Sequence, residues 1–247
     1  MPDDDPDVRQ LHAEVDLGDT ESEFRILVSG KFVKYLTIDA GLYSPDDMCF
    51  EPSFISIIPK LPPGDWNEGH ISKDAATGRP HFAEVMKSQH SGITNLWHAT
   101  RIDHLELQNR RKFARFPWEI PYLEAETTAY QWIDGHQIGP KFLGHLSEEG
   151  RVIGFLMVYV SGAKHAGPED FALCQATLSR LHDLEIKHGD IDKHNFLIHD
   201  GKATLIDVET ATRCSDKGLL DQELKQLEEE LRDTSGRGGS RILPAET

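Results

Sequence analysis

Cysteine is scarce in this chain: Cys49, Cys174 and Cys214 are its only three, spaced too widely for a zinc pattern or a paired disulfide framework. A reducing compartment is therefore expected. Long apolar runs are missing too, and none approaches the length of a membrane span. The start, Met1-Pro-Asp-Asp-Asp-Pro-Asp7, is acidic where a secretory or mitochondrial leader is basic, so a cytoplasmic protein without membrane contact is expected. Positive charge is the third shortage. Against 42 Asp and Glu stand 26 Lys and Arg, a formal net charge of -16. Binding to a phosphate backbone works through Lys and Arg displacing counterions, so general affinity for nucleic acid or anionic membrane is excluded, although a local basic pocket is not. His165, His182, His188, His194 and His199 cluster in sequence, but none joins a second His and a carboxylate at the helical spacing zinc uses, so no transition-metal site is assigned. Ser161-Gly162-Ala163 lacks the Gly-x-Ser-x-Gly frame of a nucleophile elbow, which leaves a hydrolase little support.

What is present suits a folded chain: 38% hydrophobic and 28% charged residues over 247 positions can bury a sizeable core. Residues 1–20 read as a disordered acidic tail and 21–95 as a β-rich extension. Within it, Phe24 to Asp39 forms two β-rich runs broken at Ser29-Gly30, a hairpin signal. From Gly41 to Gly92 the chain is rich in Pro, Gly and Asp, and irregular structure packed by Phe50, Phe54, Trp66 and Phe82 is expected. Residues 96–160 supply alternating strand patterns ending at Leu107 and over Lys112 to Phe116, a helix from Tyr122 to Ile133, and an apolar strand from Arg151 to Val160. Residues 161–233 open a helix at Pro168-Glu169 with apolar Phe171, Cys174, Leu178 and Leu181 at helical steps. Two short strands then flank Asp200-Gly201, and an acidic helix from Gly218 to Asp233 carries a leucine stripe. Residues 234–247 read as a flexible tail. The fold class is α+β, mostly β in its N-terminal part and helical in its C-terminal part.

The chemistry concentrates in His188-Gly189-Asp190-Ile-Asp-Lys-His-Asn195, of the form His-x-Asp-x-x-x-x-Asn, followed by a hairpin and by Asp207. This layout matches a kinase catalytic loop and metal strand. Phosphoryl transfer needs an oxygen base at the acceptor hydroxyl and oxygen ligands for hard Mg²⁺ ions. Asp190 would orient or deprotonate the acceptor, Asn195 and Asp207 would hold magnesium, and His188 would brace the loop. A bland reading, a polar hairpin after a buried helix, is outweighed by three motif elements in the right order.

His-Gly-Asp in place of His-Arg-Asp, and Ile206-Asp-Val-Glu209 in place of Asp-Phe-Gly, resemble the aminoglycoside phosphotransferase and choline-kinase branch of the protein-kinase-like proteins. A further likeness, from about Trp97 to Cys214, is to small fungal kinase-like proteins that often carry a misleading alpha-galactosidase label. It runs through Lys112-Phe-Ala-Arg-Phe-Pro-Trp-Glu-Ile-Pro-Tyr-Leu-Glu-Ala-Glu126, Gly139-Pro-Lys-Phe-Leu-Gly-His145 and Gly150-Arg-Val-Ile-Gly-Phe155. The resemblance implies a two-lobed fold with ATP and magnesium in its cleft. Lys112 would contact the α/β-phosphates, with Glu126 as its ion-pair partner and Glu124 as a close competitor. A solvated Lys112 on a charged surface is the alternative. Met157 to Ser161 would form the hinge beside the adenine.

Two departures stand out. No Gly-x-Gly-x-x-Gly lies upstream of Lys112, and the Leu107 to Lys112 interval is too short for a phosphate-covering hairpin. Asp192 adds a carboxylate inside the loop, read as exposed loop charge before a third metal or substrate contact. Three functions follow, in order. The first is a phosphotransferase acting on a small-molecule or protein hydroxyl, a small-molecule acceptor being the expected partner. The second is a pseudokinase or binding module. The third is a kinase-fold enzyme of fungal secondary metabolism with non-phosphoryl chemistry, such as arginine-containing cyclodipeptide synthesis.

Overall fold

The computed structural model describes residues 6–107 and 112–235. Its α+β chain divides into two compact units, Met1–His90 and Ser91–Thr247. The boundary lies a few residues before the expected step at 95/96.

The first unit is a sheet in the order β1-β2-β3-β4-β5, made of β1 (Val8–Glu14), β2 (Ser22–Val28), β3 (Phe32–Ile38), β4 (Glu68–Lys73) and β5 (Pro80–Met86). The hairpin between β2 and β3 turns where expected, Ser29 and Gly30 both taking positive φ (54° and 66°). The expected disordered tail is corrected over residues 8–14. That segment pairs with β2 from Val8↔Val28 to Glu14↔Glu23, and its mostly half-buried side chains explain why acidic surroundings masked it. Residues 1–5 lie outside the described residues.

The expectation of irregular structure from Gly41 to Gly92 is also corrected. β3 and β4 run parallel, and parallel neighbours need a long crossover, which α1 (Pro45–Cys49) and α2 (Glu51–Ile57) supply. Both helices carry Pro in the first turn, and Ser44 caps the first by accepting from the Asp47 N–H. Pro45 and Pro52, which read as loop punctuation, are therefore helix starts. Phe24, Ile26, Ile38, Phe54, Trp66 and Ile71 make this unit's core.

The second unit holds a sheet in the order β6-β8-β9-β7: β6 (Arg101–Asp103), β7 (Lys112–Phe113), β8 (Phe142–Glu148) and β9 (Arg151–Met157). Helix α3 (Ile120–Ile133) follows β7. Its entry is fixed by the Glu119 carboxylate, which accepts from the N–H groups of Arg115 and Phe116. Further on come β10 (Lys164–His165), α4 (Phe171–Asp183), β11 (Ile186–Lys187), β12 (Phe196–His199), β13 (Lys202–Leu205), β14 (Thr212–Arg213) and α5 (Lys217–Arg232). The β12–β13 turn again uses two positive φ values, at Asp200 and Gly201. One hydrophobic core joins Phe142, Val152 and Phe155 of the sheet to Leu178, Phe196 and Leu227 beyond it, so no break in packing marks the expected step at 160/161. Among the described residues, no helix is long and apolar enough to cross a membrane. The Gly-rich tail after Ser235 lies outside the described residues.

β7 is only two residues long, and its position depends on Gly154. A Cβ there would collide with the Lys112 carbonyl oxygen and would stand 2.5 Å from the Phe113 Cα. Backbone contacts of that kind cannot yield by side-chain rotation. Gly154→Ala is expected to cost about 1–3 kcal/mol by overpacking and to displace Lys112, as read by urea unfolding together with the site titrations described below. Unchanged stability would mean that β7 is free to shift.

Candidate functional site

The first residue of β7, the middle of α3 and the segment just past β13 place Lys112, Glu126 and Asp207 at one point. Lys112 Nζ lies 2.6 Å from Glu126 Oε2, 2.6 Å from Asp207 Oδ1 and 3.7 Å from Glu209 Oε2. Glu126 is buried with Leu123, Thr127 and Tyr130 on the inner face of α3. Glu124 faces elsewhere, accepting from the N–H groups of Thr94 and Asn95 and from the Thr94 hydroxyl. Lys112 therefore meets Glu126 and not Glu124.

One cation shared by three carboxylates cannot hold all of them ionised. Burial pushes the Glu126 carboxyl up to about 7, against the opposing pull of Lys112, with Asp207 and Glu209 adding to the rise. Burial alone would lower the Lys112 pKa, but Glu126 and Asp207 outweigh it and the net shift is upward. Lys112 thus stays charged, and Glu126, the most buried of the acids, is the group that yields. Oxygens of Glu126, Asp207 and Glu209 lie within 4.8 Å of one another, a hard, anionic donor set of the kind that suits Mg²⁺.

The catalytic-loop candidates are built from the other side. Gly189 has φ +86°, and a Cβ there would stand 2.9 Å from the Thr210 carbonyl oxygen, so the second position of the motif requires glycine. The His188 ring is buried, and desolvation lowers its pKa despite the carboxylates around it. Its neutral form explains both contacts: Nε2–H donates to the Ile206 carbonyl (3.3 Å) and Nδ1 accepts from the Asp190 N–H (3.3 Å). His188 thereby ties the backbone at Asp190 to the residue before Asp207. Asn195 donates its amide N–H to the Asp190 carbonyl (3.0 Å) and to Asp190 Oδ2 (3.1 Å), which aims an otherwise exposed carboxylate. Asp207 itself adopts φ 57°, ψ 54°, a left-handed conformation uncommon outside glycine.

Asp192 is corrected from exposed loop charge to a buried cap, only 2% exposed. Its Oδ1 accepts from the His194 N–H at 2.8 Å and starts the short 3-10 turn Lys193–Asn195 that carries Asn195. Met157 ends β9 half-buried against the core, and the chain leaves through the Val158 N–H bond to the Lys141 carbonyl. The interval between Leu107 and Lys112, on which the missing glycine loop bears, lies outside the described residues.

Two residues were not singled out from sequence. Glu209 joins the Lys112 cluster, and its nearness to Asp207 in the chain was its only signal. Glu223 on α5 is the loop's anchor. Its Oε2 accepts from the His188 N–H (3.0 Å), its Oε1 accepts from the Gly189 N–H (2.7 Å), and His182 Nε2 lies 2.8 Å away. Its signal was a carboxylate in line with buried Leu220, Leu227 and Leu231.

Beside the cluster lies a cleft of about 530 Å³ whose walls include Lys112, Arg115, Trp118, Glu119, Tyr122 and Glu209. The chain matches no family model and no curated protein.

Proposed function

We propose that this chain is a kinase-like phosphotransferase that uses Mg-ATP, with a two-lobed fold resembling the small fungal kinase-like proteins and the aminoglycoside phosphotransferase and choline-kinase branch. The observation that carries this reading is the meeting of Lys112 with Glu126 and Asp207, each at 2.6 Å. The motif layout gave Asp207 its metal role, and the resemblance gave Lys112 its phosphate role with Glu126, or its competitor Glu124, as partner. A strand with the lysine, a helix with the glutamate, two antiparallel strands, a His-Gly-Asp loop and a hairpin into Asp207 follow in the same order along the chain.

In this reading Asp190, exposed and oriented by Asn195, accepts the proton of the acceptor hydroxyl as its oxygen bonds to the γ-phosphorus and ADP departs. Asp207, with Asn195, would hold magnesium, and Glu209 is close enough to add a third oxygen. The metal, when bound, supplies charge stabilisation for the transferring phosphoryl group. Lys112 holds the α/β-phosphates, and Glu126 holds Lys112. The acceptor is a small molecule with a hydroxyl group.

A second reading, a binding module without turnover, draws on the direct Lys112–Asp207 contact, which metal binding must loosen. A thermal-shift titration with ATP and magnesium tests the first claim. Ligand at a hundred times its Kd contributes about 2.7 kcal/mol, which for a unit of this size raises Tm by roughly 5–10 °C. That rise is expected in the wild type and not in Asp207→Ala. No rise in the wild type refutes nucleotide use. A rise without phosphoryl transfer or ATP hydrolysis across an acceptor panel selects the binding module.

A further inference from the structure

We infer that Glu21, Asp39 and His70, at one end of the sheet of the first unit, form a binding site for a divalent transition-metal ion of the zinc type. All three residues belong to the first unit, and the inference does not rest on the phosphotransferase reading.

The three residues are far apart in the chain, and the sheet brings them together. Glu21 immediately precedes β2, Asp39 immediately follows β3, and His70 lies within β4. Ser22 pairs with Ile38 and Thr37 with His70, so the three stand on neighbouring strands at one end. Their chain neighbours Ser22, Ile38 and Ile71 are buried, and side chains alternate along a strand, so Glu21, Asp39 and His70 share the opposite face. His70 Nε2 lies 2.7 Å from Asp39 Oδ1 and 3.8 Å from Glu21 Oε1, and the ligand atoms of all three fall within 4.8 Å of one another. Around a tetrahedral Zn²⁺ with bonds of about 2.0–2.1 Å, neighbouring ligand atoms stand about 3.3–3.4 Å apart. The two distances from His70 bracket that spacing, so small rotations of partly exposed side chains close the site while the paired strands hold the backbone.

The donor set selects the ion. Two carboxylates beside a neutral imidazole carry two negative charges, which a divalent cation cancels. Among the described residues neither carboxylate pairs with a lysine or arginine, unlike Glu126 and Asp207, which share Lys112. An imidazole nitrogen suits Zn²⁺ and its transition-metal neighbours, whereas Mg²⁺ favours an all-oxygen set such as that of Glu126, Asp207 and Glu209. His70 binds through Nε2 with its ring proton on Nδ1. Three protein ligands leave the fourth position to water.

The test is calorimetric titration of the full chain with zinc chloride, in excess magnesium chloride, on the wild type, His70→Ala and Asp39→Asn. Asp39→Asn keeps an acceptor for His70, and melting curves without zinc check that both variants fold. Altering only the hydrogen-bond partners of metal ligands costs about 10–100-fold in affinity, so loss of a ligand should weaken the site by at least about a hundredfold. The wild type is expected to take up zinc at a site that both variants lose, and zinc should raise its Tm but not theirs. Uptake of equal affinity in all three proteins would place the ion elsewhere and overturn the inference, as would no uptake by the wild type. Displacement of zinc as magnesium is raised would mean that the imidazole is not a ligand, and it overturns the inference too. Each of these outcomes leaves the ATP titration untouched, so the two readings stand or fall separately.

Discussion

Glu223→Ala should destabilise the second unit by about 3–5 kcal/mol, the range for removing one member of a buried, hydrogen-bonded charged group. The carboxylate is 2% exposed and satisfies the N–H groups of His188 and Gly189 as well as the His182 ring. Alanine leaves the buried His188 N–H and the part-buried Gly189 N–H without this acceptor, in a loop whose turn admits only glycine at 189. Burial works to raise the Glu223 pKa, but the His182, Gly189 and His188 donors outweigh it and the net shift is downward. The sign follows. A carboxyl with a depressed folded-state pKa contributes stability that is present above its unfolded value of 4.5 and is lost as pH falls through the folded value. Glu223→Gln, which keeps the shape and one acceptor oxygen, should therefore lose less than alanine at neutral pH and should flatten the acid limb of the stability profile. Urea unfolding of the three proteins between about pH 3 and 7 measures both effects. A loss under about 1 kcal/mol in Glu223→Ala would show that water replaces the carboxylate and that the loop has no anchor on α5.

The contrast between Glu223 and Asp190 shows what the sequence could reveal. Asp190, Asn195 and His188 sit within eight residues, so their relation is a matter of local spacing, and the hairpin into Asp207 is announced by Asp200-Gly201. Glu223 meets the same loop from 34 residues away on a helix crowded with acids, where only its place in the leucine stripe set it apart. The choice between Glu124 and Glu126 was of the same kind. The buried positions Leu123, Glu126, Thr127 and Tyr130 have helical spacing, but the apolar pattern of α3 is too weak to say in advance which stripe turns inward. Strand pairing was the least legible. β1 was hidden by its acidic setting, and the crossover that makes β3 and β4 parallel neighbours has no local signature, because its prolines serve helix starts as readily as loops.

Removing Lys112 exposes the electrostatic design of the cluster. Lys112→Met leaves Glu126, 1% exposed at its side chain, with Asp207 and Glu209 beside it and no cation. The expected cost near pH 8 is about 3 kcal/mol, at the low end for a broken buried pair because the lysine is itself more than a third exposed. The cost must depend on pH. Glu126 already stands at about 7, above its unfolded value of 4.5, and loss of the lysine raises it further. A carboxyl with a raised folded-state pKa contributes stability that is fully present below the unfolded value and is lost as pH rises through the folded one. Lys112→Met should thus fold almost as well as the wild type near pH 5, where Glu126 carries a proton, and lose ground steadily toward pH 8. Lys112→Met combined with Glu126→Leu removes the buried charge with its partner, and most of the lost stability should return. Asp207 and Glu209 are exposed enough to be solvated once the lysine is gone. Urea unfolding of both variants at pH 5 and pH 8 decides the matter. A loss that is equal at the two pH values, or a double variant no more stable than the single one, would mean that the Glu126–Lys112 pair is not what keeps a carboxylate ionised at the centre of this site.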